Sequence, residues 1–316
     1  MIKRESAIID NDLPIKKAIL EIESHIREIE KDFLLYEEKN FDTRIDAIDL
    51  LDFHIIGEIE GLLNKAAQTD KLILLKLRAE KAMGTLEEIN ANLFKKLRGK
   101  ICMEKCRGEK FKDLIKEYVD FKISHNNHQE EAGYDNLDVF INGLLPYKAI
   151  PEQTKELESE MVYYQKTPAR IVFELAESAH FMNNDVFFDL GSGLGQVAIL
   201  VNLLSGIKVN GVEFEPAFCG YARECAVELN LPDVTFINAD AREADYSAGT
   251  IFFMYTPFSG KMLQEVLEIL RKESLKRKIK IITYGPCTRR VALQSWLNFG
   301  NSKADSIYKP CIFTSL

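Results

Sequence analysis

Residues 185–201, DVFFDLGSGLGQVAILV, constrain this chain of 316 residues more than any other stretch. Gly191, Gly193 and Gly195 stand at alternate positions between two apolar runs. Glycine weakens regular structure but serves where a backbone turns tightly or a ligand comes close, so the stretch reads as strand, tight loop and helix. Further strand candidates follow at 208–214, 234–238, 250–255 and 279–284, with a terminal pair near 306–309 and 311–315, and helices fill most intervals between the first five. This alternation predicts a doubly wound, mainly parallel α/β sheet over residues 162–316. Such sheets bind ligands at the carboxyl ends of their strands.

The first 125 residues follow another period. Ile15, Ile19, Ile22, Ile26, Ile29 and Phe33 alternate by four and three, the seam of a helix that needs a partner. A second helix is expected over about 42–67. A third starts at Thr69 and runs through Leu72, Leu75, Ala79, Ala82, Leu86, Ile89 and Leu93, and a fourth covers about 111–123. Short polar connections favour antiparallel packing, so residues 1–125 read as an all-α helical bundle that precedes the sheet. Residues 126–161 read as linker with short helices at about 136–145 and 151–161. Thr167 is a good N-cap for the next helix, with Pro168 at its first position.

The net charge of −8 gives no global attraction to nucleic acid, although residues 94–112, FKKLRGKICMEKCRGEKFK, place eight basic residues against two acidic ones. No uncharged apolar stretch approaches the roughly 18 residues of a membrane span. Six cysteines form no CxxC pair, which fits reduced thiols and a cytoplasmic protein. His125 and His128 lack further ligands nearby, and no metal site is expected.

The glycine loop departs from the GxGxxG dinucleotide fingerprint. Asp189 stands two residues before Gly191, and Gln196 occupies the place of the third dinucleotide glycine. A carboxylate there repels phosphate but suits an amino group or a sulfonium, and S-adenosylmethionine carries both. Glu213 ends the next strand in VNGVEFEP, at the interval where an acid accepts from both ribose hydroxyls. Asp240, in VTFINADAREADY, follows the third strand, where it can accept from an adenine amino group beside the Ala241 backbone. Any one of these acids could simply cap a helix. Three in register point to a single cofactor, S-adenosylmethionine.

FFDLGSGLGQVAILV, NGVEFEP and FINADA resemble the seven-strand, Rossmann-like class I S-adenosylmethionine-dependent methyltransferases, and the likeness covers roughly 162–316. Within them the chain is most similar to the disruptor of telomeric silencing family, histone lysine methyltransferases without a SET domain. DLGSGLGQV is similar to that family's first motif, and Tyr164-Gln165-Lys166-Thr167 resembles its upstream Tyr-Gly-Glu-Thr loop. The resemblance implies that Tyr164 and Thr167 contact the methionine moiety, that Asp189, Gly191, Gly193 and Gln196 form the loop side, that Glu213 takes the ribose, and that Asp240 and Ala241 take the adenine. Three features differ from the family pattern. The loop acid is Lys166. Met254-Tyr255-Thr256-Pro257-Phe258 replaces an Asn-containing motif. Ser306-Ile307-Tyr308-Lys309-Pro310 lacks the family Trp, and Phe313 falls where the family has a channel tyrosine.

A methyl transfer from a sulfonium needs an aligned acceptor rather than a nucleophilic triad. An amine acceptor must be neutral, and an apolar aromatic channel disfavours its charged form. Tyr163, Tyr255, Phe258, Tyr308 and Phe313 are expected to line that channel, with Thr256 at the end of the fourth strand. The reading is a methyltransferase acting on a macromolecule, a protein lysine before RNA, with the bundle presenting substrate or forming a homo-oligomer. A cofactor-binding scaffold without turnover is the alternative from another class.

Overall fold

The computed structural model of the chain describes residues 6–64, 69–104, 106–121, 133–145, 149–299 and 307–316. His125, His128 and Ser306 lie outside them. Two compact units result, Met1–Lys96 with Glu117–Asp120, and Leu97–Lys116 with Phe121–Leu316.

In the first unit, α1 (Ser6–Lys31) leads through a 3-10 turn (Phe33–Tyr36) to α2 (Phe41–Asp49), a π-helical run (Leu50–Ile56), α3 (Gly57–Leu63) and α4 (Thr69–Glu104), whose end belongs to the second unit. The expected seam is buried: Ile19, Ile22, Ile26 and Ile29 pack with Leu51, Ile55 and Ile59 and with Leu72, Leu75, Ala79 and Leu86. Phe33 is 83% exposed instead, because α1 stops at Lys31 and the 3-10 turn changes the angular register. Glu23–Lys71 and Glu30–Arg78 ascend together along α1 and α4, whereas Glu60–Lys76 and Arg44–Asn90 run in opposite order. Successive helices are therefore antiparallel, in an up-down-up arrangement. A fully buried Arg44 joins the helices, donating to Asn90 Oδ1 at 2.6 Å and to the carbonyls of Leu35 and Glu37. These acceptors compensate the desolvation of its guanidinium.

The second unit adds α5 (Glu109–Lys116), α6 (Asn136–Leu144) and α7 (Ala169–Ser178) before β1 (Val186–Leu190). From there α8 (Gln196–Ser205), β2 (Lys208–Glu213), α9 (Pro216–Glu228), β3 (Val234–Asn238), β4 (Ile251–Tyr255), α10 (Gly260–Ser274), β5 (Lys280–Tyr284), α11 (Cys287–Val291), β6 (Leu297–Phe299) and β7 (Cys311–Ser315) follow. The seven-stranded sheet has the order β3-β2-β1-β4-β5-β7-β6, in which the first five strands are parallel and β7 runs antiparallel to both neighbours. Phe188, Leu190, Phe252, Met254 and Ile281 pack one sheet face onto Met262, Leu263, Val266, Leu267 and Leu270 of α10. On α8, Val197–Leu204 is buried all round, against the sheet and against α5 and α7. That explains an apolar run without amphipathic period.

Three local expectations are corrected. The expected partner of β7, 306–309, is a bend where it is described, and β6 pairs with β7 in its place, stacking Phe299 on Phe313 at 4.7 Å. Ile307 spends its carbonyl on Gly285 N–H at 2.8 Å, so it serves the β5 loop rather than a ladder. Residues 151–161 form an extended strap, not a helix: the N–H groups of Thr154 and Lys155 donate to Glu215, and Met161 bridges to Phe258. Tertiary acceptors there replace an intrahelical ladder. Pro168 is the N-cap of α7 with extended ψ, and the Asp138 carboxylate from α6, rather than Thr167, accepts the Ala169 N–H at 2.8 Å. Among the described residues no helix is long and apolar enough to cross a membrane.

Candidate cofactor and acceptor site

A cavity of about 360 Å³ opens at the carboxyl ends of β1, β2, β4 and β5. The crossovers diverge there, at the switch point between β1 and β4. Its floor is the glycine loop. Gly191 and Gly193 have φ of +77° and +52°, and a Cβ would come within 2.4 Å of Pro257 Cβ at the first and 2.3 Å of the Tyr164 ring at the second. Both positions need glycine for conformation and for space. Gly195 is different in kind: a Cβ there would meet Phe236 and Ala222, so it serves helix packing.

Asp189, at the end of β1, is 3% exposed, and its Oδ2 has no hydrogen-bond partner. Burial, and next the charge of Glu213, push its carboxyl up to about 8, against a lowering by the Ala198 N–H. The Ala198 N–H therefore uses part of this acid, and Oδ2 is left without a partner on a residue that lines the cavity. Glu213 is also buried; burial raises its pKa, while the N–H groups of Glu215 and Gly193 oppose that at 2.8 and 2.7 Å. With the Phe214 N–H as a third, weaker donor, these contacts still leave the carboxylate lone-pair capacity for a ligand. Gln196 donates to the Thr167 carbonyl at 2.9 Å and keeps its buried Oε1 without a partner. Two orphaned acceptors beside a floor that excludes any Cβ match a cationic, donor-rich ligand, and the residues present fit S-adenosylmethionine.

Tyr164, Thr167, Asp189, Gly191, Gly193, Gln196, Glu213 and Ala241 all line this one cavity, and so do Tyr255, Thr256 and Phe258. Two expected residues do not. Asp240 turns to Arg242, which reaches Oδ1 through its backbone N–H at 2.7 Å and its Nε at 3.0 Å, and Oδ2 through Nη2 at 2.6 Å. Hydrogen bonds from Arg242 hold the Asp240 carboxyl below its usual range, and Ala239 and Ala241 form the wall there. Phe313 is fully buried in the core between β7 and its neighbours, since its antiparallel register opposite Ile281 directs it to the α10 face.

Of the residues expected to meet an acceptor, Tyr255, Thr256 and Tyr308 line the cavity together with Pro257 and Tyr284. The Tyr255 and Tyr284 rings lie 4.7 Å apart. Thr256 has φ of +42°, a conformation that costs a non-glycine residue about 1–3 kcal/mol and tends to occur where function fixes the backbone. Its Oγ1 donates to the Tyr284 carbonyl at 3.2 Å and accepts from Cys287 N–H at 3.1 Å. Sequence reasoning passed over Glu215, Phe214, Phe218 and Leu157, which also line the cavity. Glu215 was legible as a helix N-cap before Pro216. Only the fold shows that it also anchors Thr154 and Lys155.

The strand order with its antiparallel seventh strand, and the acids at the ends of β1 and β2, define a class I S-adenosylmethionine-dependent methyltransferase. Residues 152–248 match the family described as "Histone methylation protein DOT1", which places the strap and the cofactor floor within the matched segment. The chain is thus a methyltransferase that uses S-adenosylmethionine, similar to that family over this segment. No curated protein matches it. Solved structures similar to it include an RNA methyltransferase from Salinibacter ruber with S-adenosyl-L-homocysteine (25% identity, 48% of this chain and 92% of that one, TM-score 0.39). Others are the precorrin-6y C5,15-methyltransferase of Geobacter metallireducens GS-15 (18%, 49% and 92%, TM-score 0.38) and a SAM-dependent methyltransferase of Geobacter sulfurreducens (23%, 36% and 47%, TM-score 0.31).

Proposed function

We propose that the chain methylates the side-chain amine of a protein lysine. The observation that carries this reading is the aromatic wall of the cavity: Tyr255, Phe258, Tyr284 and Tyr308 line it with Thr256 and Pro257, no imidazole among the described residues does, and its acids, Asp189, Glu213 and Glu215, stand on β1, on β2 and just after β2. A hydroxyl acceptor needs a base at that point, whereas an amine needs only to arrive neutral. When bound, S-adenosylmethionine supplies a methyl group on a positively charged sulfur. The aromatic walls withhold solvation from an ammonium and so favour the free amine. Thr256, fixed between Tyr284 and Cys287, holds Tyr255 at the rim, and Tyr164 covers the floor at Gly193.

The match to a histone methylation family supports a protein acceptor. The basic stretch at 94–112 lends RNA little, because Lys96, Arg98, Arg107 and Lys112 already bond within the protein. The helical unit presents the substrate or joins copies of the chain, and six cysteines without a CxxC pair accord with the cytoplasm. Radiolabelled methyl transfer to lysate tests the reading. Protease-sensitive label that survives hydrolysis as methyl-lysine upholds it. Nuclease-sensitive label moves the acceptor to RNA, and tight cofactor binding without transfer to any fraction leaves a scaffold.

A further inference from the structure

Lys166 stands where the resembled loop carries an acid, and its place in the structure gives that change a purpose. Tyr164, Gln165 and Thr167 line the cavity, while Lys166 does not. Its ammonium turns back to Asn142 Oδ1 on α6, near the carboxylate of Asp138. Asp138 is 2% exposed and accepts the N–H groups of Ala169 at 2.8 Å and Asp135 at 3.1 Å, so α6 holds a buried anion against the start of α7. Two more bonds tie the same elements: Tyr134 O–H donates to the Lys166 carbonyl at 2.6 Å, and Arg170 pairs with Asp135. Apart from the Asp135–Asp138 contact within α6 and its cap, every one of these bonds runs from residues 134–142 to residues 166–170. The cofactor loop is therefore held from behind, by a helix that never reaches the cavity wall.

We propose that Lys166 is a positioning residue, and that with Asn142 and Asp138 it forms a latch by which α6 presses Tyr164 onto Gly193. A buried carboxylate is costly unless a cation or donors meet it, and Asp138 draws the Lys166 amine to this side of the loop against the cost of burying it. With an acid at 166, two like charges would face each other and the loop would lift. The latch acts on retention of the cofactor and leaves the acceptor end untouched.

The test uses the full chain with S-adenosylhomocysteine as the probe. Lys166→Met should weaken binding in calorimetry by about tenfold, the scale of one hydrogen bond to a charged group. Asn142→Ala should weaken it by less, and Lys166→Glu by more. Hydrogen exchange at the amides of 165–167 in the cofactor-free protein should speed up in all three. The decisive measurement is a double-mutant cycle: in a Tyr164→Ala background, Lys166→Met should change affinity little, because the latch works through that ring. Wild-type affinity in Lys166→Met, or a full additional loss in the Tyr164→Ala background, overturns the latch. If Lys166→Met fails to fold, Asn142→Ala carries the same cycle. Failure of the wild-type chain to bind the probe would instead overturn the cofactor assignment, a separate result.

Discussion

Asp189 is a carboxyl whose burial opposes its ionisation. Its pKa rises from 3.8 to about 8, so between those values the folded chain holds a proton that the unfolded chain has lost. Stability of the cofactor-free protein must then fall as pH rises through roughly 4 to 8. Glu213, raised by burial, contributes with the same sign. Differential scanning calorimetry should show the midpoint falling across this window in the wild type and a flatter profile in Asp189→Asn. Binding an amino group or sulfonium beside Asp189 reverses the balance, so S-adenosylmethionine should release protons near pH 7, readable as a buffer-dependent heat; no dependence on buffer would remove Asp189 from the cofactor contact. Glu213→Ala should weaken S-adenosylhomocysteine by about 1.5–3 kcal/mol, through the ribose acceptor and through the Gly193 N–H it holds. Gly193→Val should abolish binding without loss of helical circular dichroism, because the added side chain meets the Tyr164 ring at a φ that favours glycine, while the helical unit keeps its own core.

Among the elements, β4 and β7 separate chemistry from packing. Tyr255, at the carboxyl end of β4, lies on the cavity wall, so Tyr255→Ala should lower kcat much more than cofactor affinity once an acceptor is known. Phe313 on β7 lies in the core, and Phe313→Ala should cost about 3–5 kcal/mol of stability in urea unfolding while the folded fraction keeps its cofactor affinity. A Phe313→Ala chain of normal stability and lowered turnover would return that ring to the channel. The strap at 151–161 shows why helical propensity alone misled. Its backbone donors meet Glu215, and its Glu160 carboxylate accepts the Lys261 and Met262 N–H groups at the start of α10. A segment that caps another helix gains more from those contacts than from a ladder of its own.

For the whole molecule, every cavity residue belongs to the second unit, which also contains Leu97–Lys116. Within that unit α5 packs on α8, with Phe111, Leu114 and Ile115 buried, and Gly108 N–H donates to Leu203 at 2.8 Å. A fragment of residues 97–316 should therefore bind S-adenosylhomocysteine like the full chain, and one of residues 133–316 should bind it poorly or aggregate, having uncovered α8. Equal binding by both fragments would show that α5 is dispensable. Loss of lysate methylation in the 97–316 fragment, with binding kept, would assign substrate choice to the helical unit.

The sequence alone determined the order of strands and helices from 185 to 284, the glycine floor, the acids at the ends of β1 and β2, and the Ile19–Ile29 seam. These follow from local rules: glycine is needed wherever φ is positive and space is absent, and burial imposes its period on helices and strands. Other features came only from the tertiary structure, because each depends on a partner distant in the chain. Asp240 was legible as a strand-end acid, but whether it faced a ligand depended on Arg242. The two faces of β7 were legible, but not which was inward until pairing with β5 and β6 set the register. Lys166 read as a mere departure from a motif, and Asp138 and Asn142, more than twenty residues away, gave its amine a destination. Local chemistry can write a backbone turn or a seam into a few adjacent residues; the direction of a side chain at an element's end is settled by what packs against it.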